Sequence, residues 1–334
     1  MRAFPLSGLT ALTALAALTL TACSSTETPE PAGSTGPTLA AEVSTGEWLA
    51  GQAGEDGLFV AEFDGQVFPD PGLTADAVLA LTATGDTVAA TAFAEALANP
   101  EVVLTYVGDG ASTLSVGSTA KLAATLTVAG LDPVTLTGRD LLGELAAREA
   151  TTGRFTDLGD DDYSQTISQS WAVLALSQAG DAPASAVDFL ASQQCDGDGY
   201  PAVLADAPTG TCEADVDATG FAVSALVAAG VPAQDPRVAG AVDWLSQSVQ
   251  TDDDGQYWLS AEPAAPSVNS TAVAVLGLRD AGVDDALAQA WLEAQVVESG
   301  DDAGAFTVAD VPDARATAQA LFASSGTGLA ELLG

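Results

Sequence analysis

The chain has 334 residues, 48% of them hydrophobic, with 8 Lys and Arg against 46 Asp and Glu, no His, and a net charge of −38. Such a field repels nucleic acid and anionic surfaces, so nucleic acid is not an expected partner. Solubility, or the attraction of cations, accounts for the acidity, and without histidine any metal site that needs imidazole is excluded.

The first predicted element is an export leader, residues 1–22. Arg2 supplies a positive start, and residues 7–22 are an uncharged run of Leu, Ala, Thr, Ser and Gly ending in Leu20-Thr21-Ala22-Cys23. The run is short for a spanning helix. Its ending resembles the lipobox of bacterial lipoproteins, which implies cleavage before Cys23, a lipid on that thiol, and a protein held at the outer face of the bacterial cytoplasmic membrane. The competing reading is an ordinary secretory signal whose cysteine falls there by chance. Residues 23–42, rich in Ser, Thr, Pro, Gly and Glu, read as a flexible tether.

Residues 43–330 carry a repeat. A threonine opens an Ala/Leu/Val-rich segment that closes on glycine eleven residues later: Thr74 to Gly85, Thr119 to Gly130, Thr219 to Gly230 and Thr271 to Gly282, with Gln169 to Gly180 as a variant and Thr317 to Gly326 as a shortened copy. Self-similarity at about 45–52 residues predicts an array of helical hairpins. Segments such as 73–81 and 221–227 are apolar almost all round, which marks inner helices buried on most sides. Their closing glycines sit where a left-handed cap is needed. Outer helices are marked by Trp48, Leu142, Phe189, Trp244 and Trp291. Between outer and inner helices run long acidic connections, which the hairpin order gathers at one end, where the inner helices start. Asp160, Asp161, Asp162, Asp196 and Asp198, with Trp171, are therefore candidate ligand-rim residues. Asp215 with Asp217, Asp252 to Asp254, and Asp301 with Asp302 share that rim.

If Cys23 is lipidated, Cys195 and Cys212 are an even pair in an oxidising compartment, flanking a polar loop that contains Gly and Pro. This predicts a disulfide, contributing about 3 kcal/mol by loop-closure reasoning. A thiolate metal site would need other soft ligands. The loops Asp196-Gly197-Asp198-Gly199 and Asp252-Asp253-Asp254-Gly255 are rich in calcium-type ligands. The twelve-residue calcium pattern fails in both, because Gln194 and Ala205, or Gln250 and Ala261, fall where its first and last acidic ligands belong. Weak calcium binding at Asp196, Asp198, Asp252 and Asp254 competes with plain solvated carboxylates. No other cofactor is expected.

Trp48-Leu49-Ala50-Gly51-Gln52 followed by Asp56-Gly57-Leu58-Phe59, Phe189-Leu190-Ala191-Ser192-Gln193 followed by Asp198-Gly199-Tyr200, and Trp291-Leu292-Glu293-Ala294-Gln295 followed by Gly304-Ala305-Phe306 resemble the prenyltransferase/squalene-cyclase repeat. After Trp244 the pattern departs, with Ser248 in place of the glutamine. The resemblance implies an all-α fold, an (α/α)6 toroid of six hairpins with a central cavity.

Function does not follow from that fold. Protein prenyltransferases hold zinc with Asp, Cys and His, which a chain without histidine cannot reproduce. Asp215-Val216-Asp217-Ala218 resembles the Asp-x-Asp-Asp motif of squalene-hopene-type cyclases, implying Asp217 as a catalytic acid beside Asp215. Ala218, however, replaces the last aspartate, and the inner helices supply few rings beyond Trp171, Phe221 and Phe322. The other reading of Asp217 is a helix cap. Glycan-degrading (α/α)6 enzymes, with two rim carboxylates as acid and base, are a further alternative. Among binding proteins the chain is distantly similar to the helical barrel of transcobalamin and intrinsic factor. With the last hairpin ending near Gly334, a corrinoid is expected to find only half of its usual site. The expectation is a lipid-anchored, non-catalytic binding module with an acidic rim and central cavity for a small hydrophobic or corrinoid-like ligand or a surface protein. The alternative is an enzyme of terpene-cyclase-like or glycan-degrading type using Asp217 or other rim carboxylates. An apolar cavity large enough for an isoprenoid, with Asp217 buried and pointing in, would favour the enzyme, and a cavity filled by Leu, Val and Ala side chains a surface-binding or structural role.

Overall fold

Each hairpin is framed by backbone chemistry at its two ends. The computed structural model describes residues 45–180, 182–261 and 263–334; the leader, Cys23 and the tether lie outside the described residues. The elements run α1 (residues 45–50), β1 (Val60–Phe63), β2 (Gln66–Pro69), α2 (Pro71–Thr84), α3 (Thr87–Leu97), α4 (Pro100–Val107), α5 (Val116–Val128), α6 (Pro133–Thr137), α7 (Leu141–Ala146) and α8 (Thr166–Gln178). They continue with α9 (Ala184–Ser192), α10 (Val216–Ala228), α11 (Pro236–Ser248), β3 (Gln250–Thr251), β4 (Gln256–Leu259), β5 (Pro266–Ser267), α12 (Val268–Asp280), α13 (Ala286–Ala294), β6 (Thr307–Val308), β7 (Val311–Pro312), α14 (Ala314–Ser324) and α15 (Leu329–Leu333). The strands pair only antiparallel, within single connections. Among the described residues no helix is long and apolar enough to cross a membrane.

The repeat threonine is a latch. Thr74, Thr219, Thr271 and Thr317 accept the backbone N–H of Phe59, Tyr200, Trp258 and Phe306 at 2.9–3.0 Å, and each of those rings is buried in the preceding connection. Gln169 does the same for Phe155 at 2.9 Å, which explains the variant. The hydroxyls of Thr74, Thr119, Thr219 and Thr317 also donate to the carbonyl four residues back. That preceding residue is the N-cap, and Asp70, Ser115, Asp215, Ser267 and Asp313 all cap through their side chains. At the other end Gly85, Gly130, Gly180, Gly230, Gly282 and Gly326 have φ between +77° and +87°. There the chain turns back through N–H groups of the following residue, as from Leu131 to Leu126 O and from Val231 to Leu226 O, both 2.9 Å.

A Thr219→Val variant tests the latch. It keeps the shape but strands the N–H of Tyr200, a residue with no exposed surface. The expected loss is about 1–3 kcal/mol in urea unfolding, with Thr219→Ser close to wild type; equal midpoints for Val and Thr would refute the assignment.

The inner helices α2, α5, α8, α10, α12 and α14 pack each on the next, and α14 packs on α2, closing a ring of six. Glycine allows the closest approach, between α10 and α12, where a methyl on Gly277 would lie 2.7 Å from the carbonyl oxygen of Gly220. Outside this ring stand α1, α3, α6 with α7, α9, α11 and α13. Two of the six junctions between hairpins carry the same bond: the Trp291 indole N–H donates to Asp252 at 3.2 Å, and that of Trp48 donates to Asp302 at 3.3 Å across 254 residues of sequence. The second bond joins the last connection to the first helix.

Two parts of this arrangement depart from the sequence reading. The second outer helix is α3, built around Phe93 and Ala94, and its connection to α5 carries the extra helix α4. After Gly326 the chain does not simply end. It forms α15, which packs on α5, α8, α10 and α12 and buries Leu329 and Leu333 beneath the ring.

Candidate functional site

The inner helices begin at the face that carries the long connections, so their first turns form the mouth of the ring. Counting from the latch, the residue two places on is Asp76, Lys121, Trp171, Phe221, Val273 or Gln319 in the six helices. This layer spans the centre: all but Lys121 line the cavity, together with Leu79, Leu276 and Phe322 below and Leu329 of α15 as the floor. The rings expected from sequence, Trp171, Phe221 and Phe322, do face the centre. They fill it, however, and the space left is about 20 Å³, room for about one water. Among the described residues, the centre where the family resemblance implied a cavity is filled by these side chains.

One side of the layer is charged. Lys121 Nζ lies 2.5 Å from Asp76 and 3.0 Å from the Gly72 carbonyl, and 5.6 Å above the Trp171 ring. Arg315 reaches Asp76 at 3.0 Å and Asp70 at 2.6 Å. Burial, then the charge of Asp76, pushes the Tyr106 phenol of α4 well above its ordinary range. On the far side Trp171 leans on Phe221 at 5.8 Å between centroids, and Asn269 donates to Gln319 at 2.9 Å. The sequence reading missed Asp76, Lys121 and Arg315. The available signal was a charge set two places from the latch in an otherwise apolar helix, and Lys121 is the chain's single lysine.

Two places before the latch the layer reads Gly72, Gly117, Ile167, Asp217, Asn269 and Arg315. Asp217 therefore stands at the mouth on α10, three helices round from α2. The helix cap is Asp215, whose Oδ1 accepts the Ala218 N–H at 2.8 Å, so the capping role considered for Asp217 belongs to its neighbour. The reason is reach: a cap bonds the N–H three residues on, and Asp217 already lies inside the helix. Its carboxyl turns towards Ser270 of α12. Burial first, and the nearby Asp215 charge second, push it up to about 6. Its Oδ1 is buried and has no hydrogen-bond partner among the described residues.

The other rim candidates are placed separately. Asp160 and Asp161 are exposed, and Asp162 pairs with Arg154 at 2.9 Å. Asp196 and Asp198 are exposed on the loop closed by the Cys195–Cys212 disulfide, which is formed, and Asp198 sits in a left-handed turn at φ +75°. Asp252 accepts the N–H groups of Asp254 and Gly255 with one oxygen and the Trp291 indole with the other, while Asp254 is exposed. No group of three or more Asp, Glu, Cys or His side chains is placed to hold a metal ion among the described residues. At the opposite end Asp280, pushed up to about 6 by burial, accepts the Ala330 N–H at 3.0 Å and so holds the start of α15.

No protein-family model and no curated protein matches the sequence. Solved structures do. The type II terpene cyclase MstE from Scytonema aligns over 86% of this chain and 97% of its own at TM-score 0.63 and 14% identity. A protein from Actinoplanes aligns over 86% and 99% at 0.61 and 16%, and a glycosidase over 87% and 97% at 0.58 and 13%. At these identities the likeness is one of fold, and the chain is an (α/α)6 toroid of six helical hairpins, the architecture it has in common with these structures.

Proposed function

We propose that this protein is a lipid-anchored extracytoplasmic binding module that meets its ligand on the connection-bearing face of the toroid and not inside it. The observation that carries this reading is the central space of about 20 Å³, against the roughly 300–1,000 Å³ of pockets that enclose small molecules. An isoprenoid chain has no room there. A corrinoid-like or small hydrophobic ligand, or a surface protein, would rest on the mouth between the long connections. Anchoring through Cys23 is supported by the sequence Leu20-Thr21-Ala22-Cys23, and it places the module at the outer face of the cytoplasmic membrane. Native mass spectrometry of protein extracted from its own membrane tests the reading. A retained small molecule or metal that is lost on exchange with a competitor supports it, and a bare polypeptide under all mild detergents counts against it.

A second reading is favoured by one residue. Asp217 is a mouth carboxyl whose pKa of about 6 keeps it protonated in mildly acidic surroundings, with one oxygen unpartnered, which suits a general acid. Two of the similar folds belong to a terpene cyclase and a glycosidase. Turnover of a prenyl or oligosaccharide substrate that vanishes in Asp217→Asn, with the fold intact, would establish this alternative.

A further inference from the structure

The first connection exposes more large apolar side chains than any other among the described residues. The third, fourth and fifth bury Phe155, Tyr200 and Trp258, as the first buries Phe59; the third and fourth each leave a single large apolar side chain exposed, Tyr163 and Val203, and in the fifth Tyr257 stacks on Trp291 at 5.0 Å. Strands β1 and β2 instead stand clear, and every one of their eight residues is exposed. Val60, Phe63, Val67 and Phe68 are among the largest exposed apolar side chains of the protein, Phe63 at 72%. The register pairs Ala61 with Phe68 and Phe63 with Gln66. Because side chains alternate across a strand, Ala61, Phe63, Gln66 and Phe68 share one face and Glu62 lies on the other. That face carries two phenylalanines and no charge in a chain of net charge −38. The opposite face flanks a groove of about 420 Å³ lined by Trp48, Phe59, Val60 and Pro312 among others. Beyond the groove β6 and β7 expose Val308 and Val311.

An apolar fin of this kind marks a contact surface, and the chain that precedes it indicates with what. Residue 45 opens α1, and six helical residues, about 9 Å of axial rise, separate it from the loop into β1. On the tether reading of the sequence, the 22 residues 23–44 would span roughly 25 Å root-mean-square. If Cys23 carries lipid, the fin stays within reach of the bilayer throughout the life of the protein, and its local concentration there is high. The acidic body is repelled by anionic headgroups, so an uncharged aromatic face is the part that can enter the interface.

We infer that the β1–β2 hairpin is a second membrane contact, inserting Phe63 and Phe68 into the acyl boundary of the leaflet that holds the anchor and so orienting the toroid on it. This rests on the lipid-anchor reading above.

The test uses full-length protein carrying Phe63→Cys, labelled with an environment-sensitive fluorophore and reconstituted in phosphatidylcholine vesicles with acyl-brominated lipid. Val88→Cys on α3, a position 82% exposed, serves as the control. The expected result is quenching at position 63 several-fold stronger than at 88, reduced when Phe68→Asp is added. Equal quenching at the two positions in protein whose Cys23 is shown by mass to be acylated overturns the inference. So does shielding of the position-63 label that needs no vesicles and grows with protein concentration, which would mean a second copy covers the fin. If Cys23 is not acylated the anchor reading fails by itself. The Cys23→Ser protein with vesicles added from outside then decides the hairpin separately: selective quenching at 63 sustains insertion and its absence removes it.

Discussion

An Asp217→Asn variant unfolds at higher denaturant than the wild type at pH 8 and at nearly the same denaturant at pH 4. The folded carboxyl titrates at about 6 against an ordinary value of 3.8, so the native state holds its proton more tightly than the unfolded chain does. The protonated group's contribution is complete below about pH 4 and is lost as pH rises through about 6; above that, folding has to carry a buried ion with one oxygen unpartnered. A difference of about 2 pH units corresponds to roughly 3 kcal/mol at pH 8, or about 5 °C in midpoint temperature for a domain of this size. Asparagine keeps the shape and a hydrogen-bonding group for Ser270 without the charge. Titration of the other carboxylates is common to both proteins and cancels in the difference. Urea midpoints from pH 4 to 8 measure it, and a gap that does not grow with pH would show that Asp217 is hydrated in the folded protein.

The largest loss is expected from Asp76→Ala. Its side chain is 10% exposed and that of Lys121 14%, and it is the group on which Lys121 and Arg315 converge from two other helices. Removing it leaves an ammonium enclosed beside Trp171 without a counter-charge, a change that costs about 3–5 kcal/mol in comparable buried pairs. Arg315, 40% exposed, retains Asp70 and water and adds little. Replacing both partners, as Asp76→Leu with Lys121→Met, should recover most of the loss, because the pair gains little over well-packed apolar groups once both charges are gone. Denaturant unfolding of the single and double variants measures the coupling. A double variant as unstable as Asp76→Ala would mean that the layer depends on shape and not on charge balance.

What the sequence disclosed and what it concealed separate along a physical line. The threonine-to-glycine spacing was legible because each end of it answers to a local rule: a hydroxyl four residues from a cap, and a left-handed residue where a helix stops. The ring followed from repetition of that unit. The disulfide was legible because only two thiols remained once Cys23 was set aside. The charged half of the central layer was not, since Asp76 pairs with residues 45 and 239 positions away, and no periodicity carries such a distance. Nor was α15, five residues whose helix depends on the Asp280 carboxylate supplied by another hairpin. Two of the rim aspartates belong to the repeat itself. Asp215 and Asp252 recur where a cap or an inter-hairpin bond is required, so their abundance expresses architecture before chemistry.

The bond from Trp48 to Asp302 has a consequence for how the molecule comes apart. In an open stack of hairpins the end units hold on by one interface and fray first. Here the first and last hairpins have neighbours on both sides, so releasing any one of the six breaks two interfaces at once. No segment of the ring is a weak end, and loss of one hairpin removes the support of those beside it. The toroid therefore behaves as one cooperative unit despite its modular sequence, and heat should melt α2, α8 and α14 together.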